Sequence, residues 1–414
     1  MARIVMKFGG TSVADIDCIR NVALHVKREF DIGKEVVVVV SAMKGETDRL
    51  TSLCRQMTSD YSMRECDVVV SSGEQVSSGI MALALHSIGI KAVSLQGWQV
   101  PIVTDGVHGS ARILHIDKTK IISQINKGRV VIVTGFQGIG PEGCMTTLGR
   151  GGSDTSAVAI AAAIGADCCD IYTDVDGIYT TDPRVEPKAR LMKKIAFEEM
   201  LEMASLGAKV LQVRSVELAM LRKVCLSVRS SFADPSSDAE QGRYGTLICC
   251  EEAIMEKESI TGIAYTKGEA QISLRRLQDR PGISASIFAP LAKANINVDM
   301  IIQNISEDGK YTDITFTTPS MSLDKALSVL DDNKDKICYD DIQHEDNLVK
   351  ISAIGVGMRS HVGVASAFFL CFAEKGINIK AITTSEIKIS VLIDSAYTEL
   401  AVRSLHSCYG LDKD

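Results

Sequence analysis

The sequence lacks the features that mark a secreted or membrane protein. Its N-terminus, Met-Ala-Arg-Ile-Val-Met-Lys, has no apolar signal-peptide core. The longest uncharged stretches, such as 362–373, are shorter than the 18 or so residues of a membrane-spanning helix. We therefore expect a cytoplasmic protein that has no membrane as a partner.

An excess of charge of one sign is also missing. The chain of 414 residues has 45 basic and 52 acidic residues, a formal net charge of −7, and no long basic run. A broad nucleic-acid surface would need clustered positive charge. We therefore expect no nucleic-acid partner, although a local phosphate pocket is compatible with this composition.

Cysteine and histidine do not form the patterns of disulfide-rich or metal proteins. The twelve cysteines include no C-x-x-C pair, and the seven histidines include no H-E-x-x-H. We expect the cysteines to be small, buried, free thiols, and we expect no structural metal.

The chain does contain ample apolar material for packed cores. Its 46% apolar content and its length predict two or three domains. Strand-like and helical segments alternate over about the first 230 residues, and 35–40 contains five consecutive valines, typical of a strand in a parallel sheet. This alternation predicts an α/β sandwich. The breaker-rich stretch 234–245 predicts a loop near a domain boundary, so we expect the first domain at 1–245.

The second part of the chain carries a repeat. The pattern that begins at Asp279-Arg280-Pro281-Gly282-Ile283 recurs from Ser360, 81 residues later. Each copy fits a βαββαβ ferredoxin-like unit, and we expect the two units at 260–335 and 345–414. The glycine turn before each helix leaves N–H donors for a small carboxylate ligand, although a plain structural duplication would give the same period.

A short motif near the N-terminus predicts a phosphate site. Lys7-Phe8-Gly9-Gly10-Thr11-Ser12 follows a strand-like segment and precedes a helical pattern. The adjacent glycines let backbone N–H groups converge on an anion, while the lysine supplies positive charge. The spacing is neither Walker A nor a dinucleotide motif. A strand-to-helix turn with an exposed lysine is the alternative.

Two further clusters suit a small charged ligand. Glu74 begins a helical stretch, where a carboxylate can also simply favour the helix dipole. Arg150 lies among three glycines before an apolar helix, and its fork suits a planar carboxylate. The first N–H groups of that helix need Ser153, Asp154 or a bound anion.

The run 173–184 follows a strand, at the edge where doubly wound sheets bind ligands. Tyr179 could lie against a base, and Arg184 could reach phosphate. The aspartates of this run also suggest a calcium loop, but their spacing departs from that of an EF-hand. Lys209 follows a helix, where a solvated charge is the alternative. The G-x-G-x-x-G match at 138–143 precedes a strand-like segment, so we expect a hairpin loop.

In combination, the motifs resemble those of aspartokinases, in the amino-acid kinase family, over essentially the whole chain. They are KFGGTSV at 7–13, SSGE at 71–74, TGFQG at 134–138, TLGRGGSD at 147–154, TDVDGIYTTDPR at 173–184 and GAKVL at 207–211. The resemblance implies a three-layer αβα sandwich with a mostly parallel central sheet, followed by two ferredoxin-like ACT modules. It also implies phosphorylation of the L-aspartate side-chain carboxylate by ATP, with Mg²⁺, as the first step toward lysine, threonine, methionine and diaminopimelate.

The resemblance further assigns roles to residues. Aspartate would be held by Ser41, Thr47, Glu74, Arg150 and Ser153, with Glu74 on the α-ammonium and Arg150 and Ser153 on the α-carboxylate. ATP would be held by Lys7, Phe8, Gly9, Gly10, Thr173, Asp174, Tyr179, Arg184, Lys209 and Val210. Lys7 and Lys209 would neutralise transition-state charge, and Asp154 would orient donors.

The tail would bind end-product amino acids, namely lysine, threonine or both, as inhibitors. The implied effector residues are Asp279, Gly282, Asn297 and Gln303 of the first module, with Asn378 and Ile379 of the second. Val362 replaces a proline common in the second module's turn, so the first module is preferred. A homo-oligomer formed through the ACT modules is also expected.

Two alternatives stay open. A kinase of the same fold that acts on glutamate or acetylglutamate would keep the ATP loop but lack the paired tail. A catalytically idle amino-acid sensor would release no ADP with aspartate. From the length of the chain we expect no fused homoserine dehydrogenase.

Overall fold

A computed structural model describes residues 1–58, 62–206, 210–234, 245–254, 259–306 and 309–413. As far as these residues are described, they form two compact units. The first comprises Met1–Tyr179, Leu191–Ser205 and Lys209–Glu256, and the second comprises Thr180–Arg190, Leu206–Ala208 and Lys257–Asp414.

The first unit is an α/β structure. Its strands are β1 (Arg3–Phe8), β2 (Glu35–Val40), β3 (Ala92–Leu95), β4 (Ile102–Thr104), β5 (Ile113–Ile116), β6 (Val130–Thr134), β7 (Gln137–Ile139), β8 (Met145–Thr147), β9 (Cys168–Thr173), β10 (Lys194–Ala196), β11 (Leu226–Ser230) and β12 (Thr246–Cys249). Its helices are α1 (Ile16–Asp31), α2 (Glu46–Met57), α3 (Met63–Val70), α4 (Ser72–Ser87), α5 (Thr119–Ile125), α6 (Gly152–Ile164), α7 (Phe197–Ser205) and α8 (Val213–Arg222).

The main sheet of this unit has eight strands in the order β10-β12-β11-β9-β1-β2-β6-β3. Among its described strands, only β11 and β12 pair antiparallel. The valines of β2 are buried on both faces, as the sequence predicts, because alternate side chains point to opposite sides of the sheet. One face packs against α1 and α4, while α6 contacts β1 on the other. This arrangement confirms the predicted αβα sandwich.

A smaller sheet, in the order β5-β4-β7-β8, extends the first unit. Strands β7 and β8 form an antiparallel pair, and the turn between them contains the short helix Pro141–Gly143. The glycine pattern at 138–143 is therefore a hairpin, which confirms the prediction that it is not a dinucleotide motif.

The second unit contains one six-stranded antiparallel sheet in the order β14-β15-β13-β16-β18-β17. Its strands are β13 (Gly262–Gln278), β14 (Asp299–Ile305), β15 (Tyr311–Pro319), β16 (Asp341–Ile354), β17 (Ala381–Thr384) and β18 (Lys388–Asp394). Its helices are α9 (Ile283–Lys293), α10 (Leu323–Asp332), α11 (Lys334–Ile337), α12 (Val364–Glu374) and α13 (Thr398–Cys408). The two copies of the repeat have separate apolar cores.

The two copies share their longest strands. Residues 269–278 of β13 pair with β15 and with the first half of β16, inside the first copy. Residues 262–267 of β13 pair with 349–354 of β16, and so complete the sheet of the second copy. The second copy therefore takes a strand from before the first, which the predicted contiguous ranges 260–335 and 345–414 do not express.

The segment Thr180–Arg190 lies within the predicted range of the first domain but belongs to the second unit. The Oγ1 of Thr180 lies 2.9 Å from the Nε2 of buried His406, and Arg403 donates from its Nε to the carbonyl of Val185 at 2.8 Å. The Val185 side chain lies in the core of the second copy.

The expectation that all cysteines are buried is wrong, although all twelve are free thiols. Five are buried, four are partly exposed, and Cys250, Cys338 and Cys408 are exposed. The helical stretch Met63–Ser87 is long and apolar enough to cross a membrane by length and composition, but half of its most apolar window is buried inside the protein. Core helices of soluble proteins also meet this test, so the stretch is weak evidence for a membrane span.

Candidate active site

Several of the predicted motifs leave the main sheet at one edge. The parallel register aligns the end of β1, Phe8, with Val40 of β2 and with Tyr172 of β9. Val40 is aligned in turn with Thr134 of β6. The loops that follow these strands therefore start side by side at the carboxyl edge of the sheet, where open α/β folds bind ligands.

Lys7 points from β1 toward the start of α6. Its Nζ lies 2.5 Å from the Oδ1 of Asp154, and both side chains are only 10% exposed. A Cβ at Gly9 would lie 3.4 Å from this Nζ, so the backbone of the glycine pair passes close to the ammonium. The alternative of a turn with an exposed lysine is therefore wrong, and the motif presents a buried cation at the sheet edge.

Ala42, after β2, joins the glycine motif to the start of α4. A Cβ at Gly10 would lie 3.0 Å from the carbonyl oxygen of Ala42. The Ala42 N–H donates to the Oε1 of Glu74 at 3.0 Å, and the hydroxyl of Ser77 donates to the Ser41 carbonyl at 2.8 Å. Ser41 and Glu74 therefore share one corner of the edge. Thr47 lies in the first turn of α2.

Glu74 is a buried carboxylate with one uncompensated oxygen. The residue is 2% exposed, and its Oε2 has no hydrogen-bond partner among the described residues. Burial raises the pKa of Glu74 to about 7, while the bond from Ala42 opposes this change. An anion in this position is costly without a cation, and a bound ammonium group would supply one.

The loop after β8 carries Arg150. Gly149 and Gly151 on either side have φ values of +76° and +68°, a region that favours glycine. The Arg150 side chain is exposed and forms no ion pair in the part of the chain that the structure describes.

The start of α6, directly after Arg150, lies against the loop that follows β6. No side chain caps the helix. The Gly152 N–H donates to the Gly149 carbonyl at 3.0 Å, so the N–H groups of Ser153 and Asp154 are the ones left for an anion. Ser153 packs closely on Gly135, where an added Cβ would lie 2.7 Å from the Ser153 Cβ. The sequence motif at 134–138 gave no indication of this contact.

The predicted ATP loop begins after β9. Asp174 is exposed and accepts a hydrogen bond from the Thr173 hydroxyl at 3.1 Å. Ser12 of the glycine motif donates to the Oγ of Ser231, which donates to the Thr173 carbonyl at 3.0 Å. Ser231, after β11, therefore ties the two nucleotide motifs together, and no sequence motif marked it.

For the remaining predicted ATP residues in the described part of the chain, the structure gives no hydrogen bond to the glycine motif. Tyr179 pairs with Leu191 in an antiparallel bridge, and burial raises the pKa of its hydroxyl. Arg184 belongs to the second unit, where its guanidinium binds both carboxylate oxygens of Asp182. Val210 is partly buried, and Lys209 lies outside the described residues.

The acidic run 173–182 does not gather into a metal site. Within the described ranges, no three His, Cys, Asp or Glu side chains are placed to hold a metal ion together. The calcium-loop alternative therefore receives no support from the geometry.

In the second unit, a cavity of about 430 Å³ lies beside the N-terminus of α9. It is lined by Asp279, Arg280, Pro281, Gly282, Ile283, Ser284 and Gln303. Three predicted effector residues, Asp279, Gly282 and Gln303, are thus brought together. Gly282 is the N-cap of the helix with φ +92°, and no side chain caps this end. The Ile283 N–H donates to the Arg280 carbonyl at 3.2 Å.

The other three predicted effector residues do not line this cavity. Asn297 and Asn378 are exposed, and the Asn297 carbonyl accepts a hydrogen bond from Thr318. Ile379 packs against the core of the second copy.

Comparisons with known proteins agree with this architecture. A model of the amino acid kinase family matches residues 2–229, and models of ACT domains match residues 271–335 and 351–409. An aspartate kinase of Pseudomonas putida is 51% identical over 413 residues, which cover 100% of this chain and 98% of the relative. An aspartokinase of Helicobacter pylori is 47% identical over 414 residues, covering 99% and 100% of the two chains.

Among solved structures, Escherichia coli aspartokinase III in complex with aspartate and ADP superposes with a TM-score of 0.78 at 28% identity, covering 98% of this chain and 99% of that one. Its complex with lysine and aspartate gives a TM-score of 0.77 at the same identity and coverage. The fold and the kinase match define an amino-acid kinase that carries paired ACT domains. The chain belongs to the aspartokinases within that family.

Proposed function

We propose that the first unit binds L-aspartate between Glu74 and Arg150 and binds ATP beside the Lys7 motif. The activity, ATP-dependent phosphorylation of the aspartate side-chain carboxylate to 4-phospho-L-aspartate, follows from full-length similarity to aspartokinases. The observation that carries the binding proposal is the buried Glu74 carboxylate, whose second oxygen lacks a partner in the described chain. The α-ammonium of aspartate is a cation of suitable size for it.

The opposite end of aspartate would meet the loop after β8. Arg150 offers a bidentate fork for the α-carboxylate, and Ser153, at the uncapped start of α6, adds a hydroxyl beside free N–H donors. Ser41 and Thr47 would line the same pocket. The E. coli aspartokinase III complex with aspartate and ADP supports this assignment at the level of the family.

The chemistry needs alignment and positive charge more than a base. The acceptor carboxylate is already ionised near neutral pH. Lys7, held by Asp154, and Lys209 would neutralise charge that spreads over the transferred phosphoryl oxygens. The ATP site would be completed by Phe8, Gly9, Gly10, Thr173, Asp174, Tyr179 and Val210.

Mg²⁺ would neutralise charge on the ATP phosphates. It would be held mainly by phosphate oxygens and water, because three ligand side chains do not meet anywhere in the described ranges.

The Arg150→Lys variant tests the aspartate site. An ammonium cannot reproduce the bidentate fork, so we expect the aspartate KM to rise at least about tenfold while the ATP KM changes little. Arg20→Lys, an exposed position on α1, is the matched control. Unchanged aspartate kinetics in Arg150→Lys would remove this role.

We further propose that the cavity beside α9 binds an inhibitory amino acid, lysine, threonine or both. The lysine complex of E. coli aspartokinase III supports lysine, and the helix N-terminus after Gly282, which no side chain caps, suits an α-carboxylate. Inhibition requires the effector to bind the less active arrangement more tightly. Isothermal titration of the whole protein with each amino acid, alone and together, should show binding, and its complete absence would remove the idea.

We also propose a homo-oligomer formed through the ACT modules. The edge strands β14 and β17 expose apolar side chains, among them Ile301, Ile305 and Ile382. Such edges are commonly covered by pairing. Light scattering should give a mass above that of one chain, 44.7 kDa.

A further inference from the structure

Two charged side chains outside the predicted site bind the loop that carries Arg150. Asp67, on α3, is 1% exposed, and its carboxylate accepts from the Thr147 hydroxyl at 2.6 Å. Arg214, on α8, donates from Nη1 to the carbonyl of Leu148 at 2.8 Å. The two residues immediately before the Gly149–Gly151 turn are therefore held from two helices.

The same two side chains also hold the neighbouring loop between β4 and β5. Asp67 accepts from the Nδ1 of His108 at 2.7 Å and from the Gly109 N–H. Arg214 donates from Nη2 to the Ala111 carbonyl at 2.8 Å.

The two loops are also bonded directly to each other. The Ala111 N–H donates to the Thr147 carbonyl at 2.9 Å, and a Cβ at Gly149 would lie 3.1 Å from the Gly109 carbonyl. Together with the bonds from Asp67 and Arg214, these contacts make the loops one rigid support.

Both charges are directed at these loops and not at each other. Arg214 forms no ion pair within the described ranges, and burial lowers its pKa. Arg214 is partly buried, and withdrawing an arginine from water onto two carbonyl oxygens is costly unless the geometry that it holds is needed.

Arg150 depends on this support. It lies between two left-handed glycines, and its guanidinium has no ion-pair partner in the described part of the chain. Its direction is therefore set by where the loop is anchored before Gly149 and by the start of α6 after Gly151. A displacement of about 1 Å at such a group can cost about 100-fold in rate.

We propose that Asp67 and Arg214 are positioning residues, which fix Arg150 toward the α-carboxylate of aspartate without touching the substrate themselves. This inference rests on the proposed role of Arg150.

The test is Arg214→Ala in the full chain, with steady-state kinetics for both substrates. We expect the aspartate KM to rise about 10- to 100-fold while the ATP KM stays within about twofold. Guanidinium chloride at about 10 mM should partly restore the aspartate KM, because the free ion can bridge the same two carbonyl groups. Arg222→Ala, at the exposed end of α8, is the matched control and should show neither effect.

Arg214→Lys carries the test if the alanine variant does not fold, and it should give a smaller rise in the aspartate KM because an ammonium lacks the fork. Asp67→Asn, which weakens the support of the loop from α3, should also raise the aspartate KM. An unchanged aspartate KM, or equal rises in both KM values without guanidinium rescue, would overturn the proposal. Arg150→Lys, measured in parallel, separates the two ideas. If Arg150→Lys raises the aspartate KM and the Arg214 and Asp67 variants do not, the positioning proposal is wrong. If Arg150→Lys leaves the aspartate KM unchanged, the proposed aspartate site is wrong.

Discussion

Replacing Glu74 by glutamine should make the ligand-free protein more stable while it removes aspartate binding. The pKa of Glu74 is raised from its ordinary 4.5 to about 7 by burial. Each pH unit of difference is worth about 1.4 kcal/mol, so the ionised carboxylate lowers the free energy of unfolding by about 3 kcal/mol at pH 8. A neutral amide avoids this cost and can still accept the hydrogen bond from Ala42.

The sign and the pH window follow from linkage. A carboxyl whose folded pKa lies above its unfolded pKa contributes most to stability below pH 4.5, and that contribution is lost as the pH rises to about 7. The stability gain of Glu74→Gln should therefore be about 3 kcal/mol at pH 8 and under about 1 kcal/mol at pH 5.

Urea unfolding followed by tryptophan fluorescence measures this difference, because the single tryptophan, Trp98, lies in the first unit. Glu217→Gln, at an exposed position on α8, is the control and should leave the pH dependence of the parent protein in place. Added aspartate should stabilise the parent protein but not Glu74→Gln. A stability difference that is the same at pH 5 and pH 8 would refute the reasoning.

Two other substitutions probe the start of α6. Asp154→Asn leaves the buried Lys7 without its counter-charge. In steady-state assays it should lower kcat about 100-fold with little change in the aspartate KM, and an unaltered kcat would contradict this prediction. Gly135→Ala puts a methyl group 2.7 Å from the Ser153 Cβ and should lower kcat/KM for aspartate about 10- to 100-fold. Gly79→Ala, which has open space around it, is the control and should leave kcat/KM unchanged. Equal activity of the two variants would count against a close fit at Ser153.

Local patterns predicted those parts of the fold that local physics decides. The valine run of β2 has the predicted bounds, because a short run of β-branched residues favours a strand that is buried on both faces. The hairpin at 138–143 was predictable from the strand-like residues after it. Lys7 and Asp154 were both predicted to act in the site, but only the structure shows that they form an ion pair.

Long-range contacts could not be predicted in this way. Asp67 and Thr147 are 80 residues apart, and Arg214 and Ala111 are 103 apart, so no spacing rule connects them. The prediction that the cysteines are buried is wrong for a related reason, since the average preference of cysteine for the interior does not specify where one side chain lies. The sharing of β13 between the two copies was not predicted either, because the sequence of one long strand does not show whether it pairs within one copy of the repeat or within both.

The course of the chain limits how this enzyme can be dissected. The polypeptide leaves the kinase unit after Tyr179, buries Val185 in the core of the second ACT copy, and returns at Leu191. A single cut near residue 256 would strip this excursion of its hydrophobic partners. The kinase unit and the ACT unit are therefore linked by more than one chain connection. An unregulated enzyme is better sought through point substitutions than by deleting the C-terminal ACT modules.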